Sequence, residues 1–125
     1  MTNEFKGGLI VCVENSDQAK IAEKVGVRGV VVIGTEYNAP TNRTVTADPA
    51  VVRDVLRSVL VPVIGRISLG HVIEAKVMEA CHVDAIDEHE GKNQAADEGI
   101  EKFSSNVPII AGVENLKEAL KAILQ

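Results

Sequence analysis

The stretch VIGRISLGHVIEAKVMEA, residues 63–80, contains the unit from which most of the chain is built. It starts with an apolar segment that ends at Arg66, without the alternation of a half-exposed strand. Ile73, Val77 and Cys81 then follow at helical spacing and form one apolar stripe. A continuous apolar run is typical of a parallel strand buried on both faces. The stretch therefore predicts a buried strand followed by a helix, with Arg66 where the strand ends.

The same strand–helix unit recurs on both sides of this stretch. The apolar runs predict strands at residues 8–14, 29–34, 61–65, 83–87 and 107–113. The amphipathic segments predict helices at residues 15–26, 48–59, 71–81, 94–103 and 116–124. Strands that alternate with helices indicate a parallel sheet with right-handed crossovers. The chain is therefore predicted to be one α/β domain, residues 1–125, of five βα units.

Five βα units are compatible with two topologies, which differ in strand order. One is an open doubly wound, flavodoxin-like sheet, in which strands one and three are neighbours. The other is a partial (βα)8 TIM barrel that dimerisation would complete. A lone partial barrel exposes its apolar inner face and two strand edges, whereas a doubly wound sheet covers both faces with helices. We therefore predict the doubly wound sheet and keep the partial barrel as the alternative.

Composition limits the classes of function. Hydrophobic residues make up 46% of the 125, only 2% are aromatic, and the net charge is −5, so the core is aliphatic and no basic stripe is present. Nucleic-acid binding is therefore not expected, and no apolar run is long enough to span a membrane. The N-terminal residues lack the pattern of a signal peptide. Cys12 and Cys81 are predicted to be reduced, buried thiols of a cytoplasmic protein.

Four segments of the sequence carry a family resemblance. They are KGGLIVCVENSDQAKIAEKVG (6–26), ADPAVVRDVL (47–56), VPVIGRISLGHVIEAKVMEA (61–80) and VDAIDEHE (83–90). In order and content they resemble the synthase subunit of pyridoxal 5′-phosphate synthase, the PdxS/SNZ family. The resemblance implies a (βα)8 barrel that makes pyridoxal phosphate from a pentose phosphate, a triose phosphate and ammonia supplied by a glutaminase. It also implies assembly into rings, with this chain corresponding to the first five βα units.

The sequence departs from this family at the positions that carry its chemistry. Cys12 stands where the family has an aspartate, and Arg66 where it has the lysine that forms a Schiff base. The Glu-Arg that follows the family's second strand is Gly34-Thr35 here, and the family's second catalytic lysine lies beyond the fifth strand. Arginine stays protonated and forms no imine. Pyridoxal 5′-phosphate synthase activity is therefore not expected, and no cofactor is predicted.

The strand ends still predict a candidate binding site. Arg66 lies at the C-terminal end of a parallel strand, where α/β proteins bind ligands, and its guanidinium suits phosphate or carboxylate. The alternative is an ion pair of Arg66 with Glu14 or Asp87. The ligand-binding candidates are Glu14, Asn15, Gly34, Thr35, Arg66, Ser68, Asp87 and Glu88. The acidic run at residues 87–90 is not predicted to bind a metal, because consecutive side chains of an extended chain point to alternate faces.

Three classes of function follow from these residues. The first is a non-catalytic PdxS-like module, a pseudoenzyme that binds a small phosphorylated or anionic ligand and forms homo-oligomers. The second is a divergent lyase or sugar-phosphate enzyme that uses Cys12, Arg66 and Asp87, with the cation of Arg66 favouring a reactive Cys12 thiolate. The third is a structural partner that joins PdxS-like subunits into mixed rings. The sequence favours the first.

Overall fold

Parallel strands alternate with helices in the computed structural model, which describes residues 6–34, 46–68, 72–89, 106–112 and 115–124. The strands are β1 (Ile10–Val13), β2 (Gly29–Val32), β3 (Val63–Ser68), β4 (Ala85–His89) and β5 (Ile109–Ala111). The helices are α1 (Ser16–Lys24), α2 (Pro49–Ser58), α3 (Val72–Ala80) and α4 (Leu116–Leu124). The α/β class and the five parallel strands are confirmed. The helix predicted at residues 94–103 lies outside the described residues.

The strand order of the sheet is β1-β2-β3-β4-β5, with every neighbouring pair parallel. The predicted doubly wound order, with strands one and three adjacent, is therefore wrong. The order is that of the alternative, a partial (βα)8 barrel. A doubly wound sheet reverses its winding once and so places helices on both faces. Here each strand pairs with the next one in the sequence, and right-handed crossovers that advance in one direction place their helices on one face, as the shared core of α1, α2 and α3 shows.

The two faces of the sheet bury different sets of residues. The helix-covered face carries the main core, in which Ala19, Val55 and Met78 of α1 to α3 pack on strand residues such as Val32 and Ile67. The opposite face buries a smaller cluster contributed by strands, formed by Val31, Ile64 and Ala85 with Ile33 and Ile110 against it. This second face corresponds to the inside of a barrel. Arg66, two residues after Ile64 on β3, lies on it by the alternation of strand side chains.

Side-chain caps fix where the first two helices begin. Asn15 Oδ1 accepts a hydrogen bond from the Gln18 N–H at 2.9 Å, and Gln18 Oε1 accepts one from the Glu14 N–H at 2.8 Å. The predicted capping pair of Asn15 and Gln18 is therefore confirmed. Asp48 caps α2 through the Ala50 N–H at 2.8 Å, and Pro49 stands in the first turn, as predicted.

Two helices end in the same turn but with different residues. After α1, Gly26 adopts a φ of 88°, its N–H donates to the Glu23 carbonyl, and the next N–H donates back to Ala22. After α3, His82 takes the equivalent place with a φ of 65°, its N–H donating to the Glu79 carbonyl. Left-handed backbone suits glycine and costs other residues free energy. The turn after α3 is thus strained where the turn after α1 is not.

No helix within the described ranges is long and apolar enough to cross a membrane.

Candidate functional site

Arg66 and Asp87 form an ion pair on the inner face of the sheet. They are direct neighbours across β3 and β4, and Arg66 Nε lies 2.7 Å from Asp87 Oδ2. The Arg66 side chain is 21% exposed and the Asp87 side chain 10%. The pair stands near the C-terminal ends of both strands, on the face that also buries Val31, Ile64 and Ala85. Of the two ion pairs that the sequence left open, the structure forms the one with Asp87.

Cys12 reaches the same ion pair from β1. Its Sγ lies 3.7 Å from Arg66 Nη2, although β2 separates the two strands in the sheet. The long arginine side chain spans this gap diagonally along the inner face. The predicted burial is confirmed for Cys81, a free thiol in the helix-covered core, and is wrong for Cys12, a free thiol that is exposed on the edge strand β1. The structure therefore brings together the three residues of the predicted enzyme alternative.

The remaining predicted site residues divide into those near the strand ends and those elsewhere. Asn15 follows β1, but its side-chain oxygen is engaged in capping α1. Glu14 is exposed at the same strand end, and Gly34 is half-buried two residues after β2. Thr35 lies outside the described residues. Glu14, Asn15 and Gly34 therefore lie near the mouth of the sheet, at the ends of β1 and β2.

Glu88 does not belong with Arg66 and Asp87. It is 6% exposed and alternates to the face that carries Ile86, which packs in the helix-covered core. Glu88 stays a prediction as a ligand-binding residue, on the face of the sheet opposite to Arg66 and Asp87. The cause is the strand period of two, which places consecutive residues of β4 on opposite faces.

Ser68 lies at the end of β3 beside two residues that the sequence did not single out. Its N–H donates to Thr46 Oγ1 at 3.2 Å, and the Thr46 hydroxyl also hydrogen-bonds the Glu74 carboxylate. The Ala47 N–H donates to the Arg66 carbonyl at 3.0 Å. These contacts anchor the segment before α2 to the strand that carries Arg66. The only sequence signal was that Thr46 comes shortly before the Asp48 cap.

The described side chains form no metal centre at this mouth. Over the described residues, no group of three or more His, Cys, Asp and Glu side chains is arranged to hold a metal ion. An open groove lined by Arg28, Leu60 and Pro62 lies instead at the opposite, N-terminal ends of β2 and β3. Among the described residues, the contacts at the mouth join the cation of Arg66, the carboxylate of Asp87 and the thiol of Cys12.

The chain is similar in sequence to known synthase subunits. It is 39% identical to the pyridoxal 5′-phosphate synthase subunit PdxS of Sulfurisphaera tokodaii over 124 residues, covering 96% of this chain and 39% of that protein. It is 35% identical to the PdxS subunit of Thermus thermophilus over 125 residues, covering 97% and 43%. The chain thus spans about two fifths of the length of these curated relatives.

Solved structures agree with the fold. Phosphonopyruvate hydrolase in complex with oxalate and Mg²⁺ matches with a TM-score of 0.56 at 17% identity, over 89% of this chain and 49% of that one. A monomeric form of the dimeric phosphoribosylanthranilate isomerase of Thermotoga maritima matches with a TM-score of 0.60 at 16% identity, over 92% and 57%. At such identities these matches support the barrel-like fold alone.

The family model described as the SOR/SNZ family matches residues 1–125. The match covers every strand and helix described above, and the curated relatives cover almost the same range. The predicted resemblance is therefore confirmed: this chain belongs to the SOR/SNZ family.

Proposed function

We propose that the chain is a non-catalytic member of the SOR/SNZ family that binds a small phosphorylated or otherwise anionic ligand at the C-terminal ends of its strands. The observation that carries the proposal is the position of the Arg66 guanidinium, held by Asp87 at the mouth of the inner face. The relatives are named as pyridoxal 5′-phosphate synthase subunits, so phosphorylated compounds are the natural ligand class to test.

The non-catalytic part of the proposal rests on Arg66. By the family resemblance, Arg66 occupies the position of the Schiff-base lysine on strand three. A guanidinium remains protonated and does not condense with an aldehyde to an imine, which requires a neutral amine. The ion pair with Asp87 also engages the Nε atom of this guanidinium, at 2.7 Å from Asp87 Oδ2.

The anion-binding part of the proposal rests on the N–H donors of Arg66 that Asp87 does not use. Asp87 contacts Nε of Arg66, and Nη2 lies near the Cys12 sulfur, a weak acceptor. A guanidinium has five N–H donors in a planar fork, so an oxyanion can be bound through the η nitrogens while Asp87 keeps the plane oriented. Parallel sheets bind ligands at this end because the loops that follow the strands converge there.

Isothermal titration calorimetry with inorganic phosphate and ribose 5-phosphate tests this proposal. The double variant Arg66→Met/Asp87→Asn removes the guanidinium without leaving a buried carboxylate unpaired. One charge-assisted hydrogen bond contributes about 1.5–3 kcal/mol. Its loss should therefore weaken the binding of either ligand at least about tenfold. Arg28→Gln, at the opposite end of the sheet, is the matched control and should bind as the wild type does. Equal affinities of the wild type and the double variant for these ligands would show that Arg66 does not bind them.

A second candidate is a divergent lyase or sugar-phosphate enzyme. The observation that favours it is the exposed Cys12 thiol, whose Sγ lies 3.7 Å from Arg66 Nη2, so that a nucleophilic side chain and an anion-binding cation stand side by side. Cys12 would act as nucleophile, Arg66 would hold the anionic group of the substrate, and Asp87 would orient Arg66. Alkylation by iodoacetamide tests the idea: a reactive Cys12 is alkylated faster than a free cysteine, and Arg66→Met slows it. An unchanged rate in Arg66→Met would count against it.

The partners and location predicted from the sequence belong to the same proposal. Association with a second copy of the chain, or with a PdxS-like subunit in a mixed ring, and a cytoplasmic location are the expectations. Copurification of the chain with a full-length PdxS subunit would support the mixed ring. If an equimolar mixture of the chain and the PdxS subunit sediments as two unassociated species, the mixed ring is ruled out.

A further inference from the structure

The carboxylate of Asp87 uses one of its two oxygens in its contacts with the described residues. Oδ2 accepts the hydrogen bond from Arg66 Nε at 2.7 Å, whereas Oδ1 has no partner among these residues. In the described part of the chain, every buried side-chain nitrogen or oxygen has a hydrogen-bond partner. Oδ1 is therefore not buried, although the Asp87 side chain is only 10% exposed. The small exposed part of this carboxylate includes an acceptor that is open to solvent.

The guanidinium of Arg66 has unused groups in the same place. Its Nε is bonded to Asp87 and its Nη2 lies 3.7 Å from the Cys12 Sγ, whereas Nη1 contacts no acceptor of a described residue. By the same reasoning, Nη1 is open to solvent. The ion pair thus presents N–H donors and a carboxylate oxygen side by side.

The backbone holds these two groups in a fixed relation. Arg66 and Asp87 are direct partners in the register of β3 and β4, which stay paired up to Ser68 and His89. The Arg66 carbonyl also accepts a hydrogen bond from the Ala47 N–H at 3.0 Å. A ligand that contacts both side chains therefore meets a site whose donors and acceptor are already placed, which lowers the entropy that binding costs.

The charges of the ion pair favour a ligand with charges of both signs. The pair has no net charge, and Glu14 adds an exposed carboxylate at the end of β1. A simple anion on the η nitrogens lies close to the Asp87 carboxylate, which repels it. An ammonium group on the same ligand adds an attraction, because an ionised carboxylate only accepts hydrogen bonds and an ammonium group only donates them. A ligand with both groups is thus complementary to the site.

We infer that this site binds a small zwitterion, a molecule with an ammonium group a few bonds away from a carboxylate or phosphate. The anionic group binds the η nitrogens of Arg66, and the ammonium group donates a hydrogen bond to Asp87 Oδ1. Amino acids and aminoalkyl phosphates belong to this chemical class. The inference rests on the anion site proposed above, and it gives Asp87 a direct contact with the ligand besides its contact with Arg66.

Calorimetric titration with two matched sets of ligands tests the inference. Phosphoethanolamine and ethyl phosphate differ only in the ammonium group, and so do glycine and acetate. One charge-assisted hydrogen bond predicts that the wild type binds the amine-bearing ligand of a set at least about tenfold more tightly. The set that shows this preference identifies the anionic group as phosphate or carboxylate. Equal affinities within both sets would overturn the inference.

The variant Asp87→Asn tests where the ammonium group binds. Asparagine keeps an oxygen acceptor for Arg66 Nε but carries no charge, so the preference for the amine-bearing ligand is expected to shrink about fivefold. Because the preference is a ratio of affinities within one protein, any change in how Arg66 binds the anionic group cancels. Asp17→Asn is the matched control, since it removes an exposed carboxylate in the first turn of α1, and it should keep the full preference.

The possible results separate this inference from the anion site on which it rests. An undiminished preference in Asp87→Asn would overturn the contact with Asp87, and if this variant does not fold, the wild-type ratio alone decides. Ligands that bind equally within each set, but more weakly to Arg66→Met/Asp87→Asn, would leave the anion site intact and overturn the zwitterion. If none of the four ligands binds at millimolar concentration, or if all bind this double variant as they bind the wild type, both proposals are wrong.

Discussion

Replacing Arg66 should lower the free energy of unfolding more than replacing Asp87 does, although both changes break the same ion pair. At about 4 Å between charge centres and an effective dielectric constant of about 20, the attraction is about 4 kcal/mol, from which the desolvation of both groups is subtracted. The Asp87 side chain is 10% exposed and the Arg66 side chain 21%. We expect Asp87→Asn to lower the free energy of unfolding by about 2 kcal/mol and Arg66→Met by about 3 kcal/mol, because the latter leaves the more buried charge unpaired.

A double-mutant cycle measures this coupling directly. Arg66→Met/Asp87→Asn should lose about 3 kcal/mol rather than the roughly 5 kcal/mol that additive losses would give. Urea unfolding at pH 7 gives each value, with all four proteins at one concentration because association shifts apparent stability. A coupling energy below about 0.5 kcal/mol is typical of exposed pairs and would refute the description of this pair as a buried anchor of the mouth.

Three further predictions concern the packing around the site and are read out by urea unfolding. His82→Gly should stabilise the chain by about 1 kcal/mol by relieving the left-handed backbone, whereas Gly26→Ala in the equivalent turn should destabilise it by a similar amount; equal effects of one sign would contradict the turn geometry. Gly65→Ala should cost about 1–3 kcal/mol, because its new Cβ would lie 2.7 Å from the Met78 sulfur, and the cost should shrink in combination with Met78→Ala. Glu23→Ala should cost about 1 kcal/mol through loss of two hydrogen bonds from backbone N–H groups before β3, and a neutral result would show that water replaces them.

The local structure of this chain follows from its sequence because the signals are short-range. Asn15, Gln18 and Asp48 lie within four residues of the groups they cap, so spacing alone predicts the bonds. The apolar runs likewise predict every described strand to within a few residues. The positions of Arg66, Glu14 and Asp87 at strand ends predicted an ion pair of Arg66 with one of the two carboxylates, and the structure forms the pair with Asp87.

Strand order could not be predicted in the same way. The local pattern of a βα unit is the same in a doubly wound sheet and in a barrel, since each crossover is right-handed in both. The prediction assumed that a lone chain covers both faces of its sheet. Instead, the inner face buries Val31, Ile64 and Ala85 among strand residues. Thr46 and Glu74, 28 residues apart, are a long-range contact with no periodic signal.

The central claim is that an anion is held at the C-terminal strand ends by Arg66. Amide chemical-shift mapping during titration with ribose 5-phosphate tests it most directly, because it reports where the ligand binds as well as whether it binds. The account predicts shifts that cluster at Glu14, Asn15, Arg66 and Ser68 in the wild type and vanish in Arg66→Met/Asp87→Asn. Shifts clustered at Arg28, at the opposite end of the sheet, or no shifts at millimolar ligand, would contradict it.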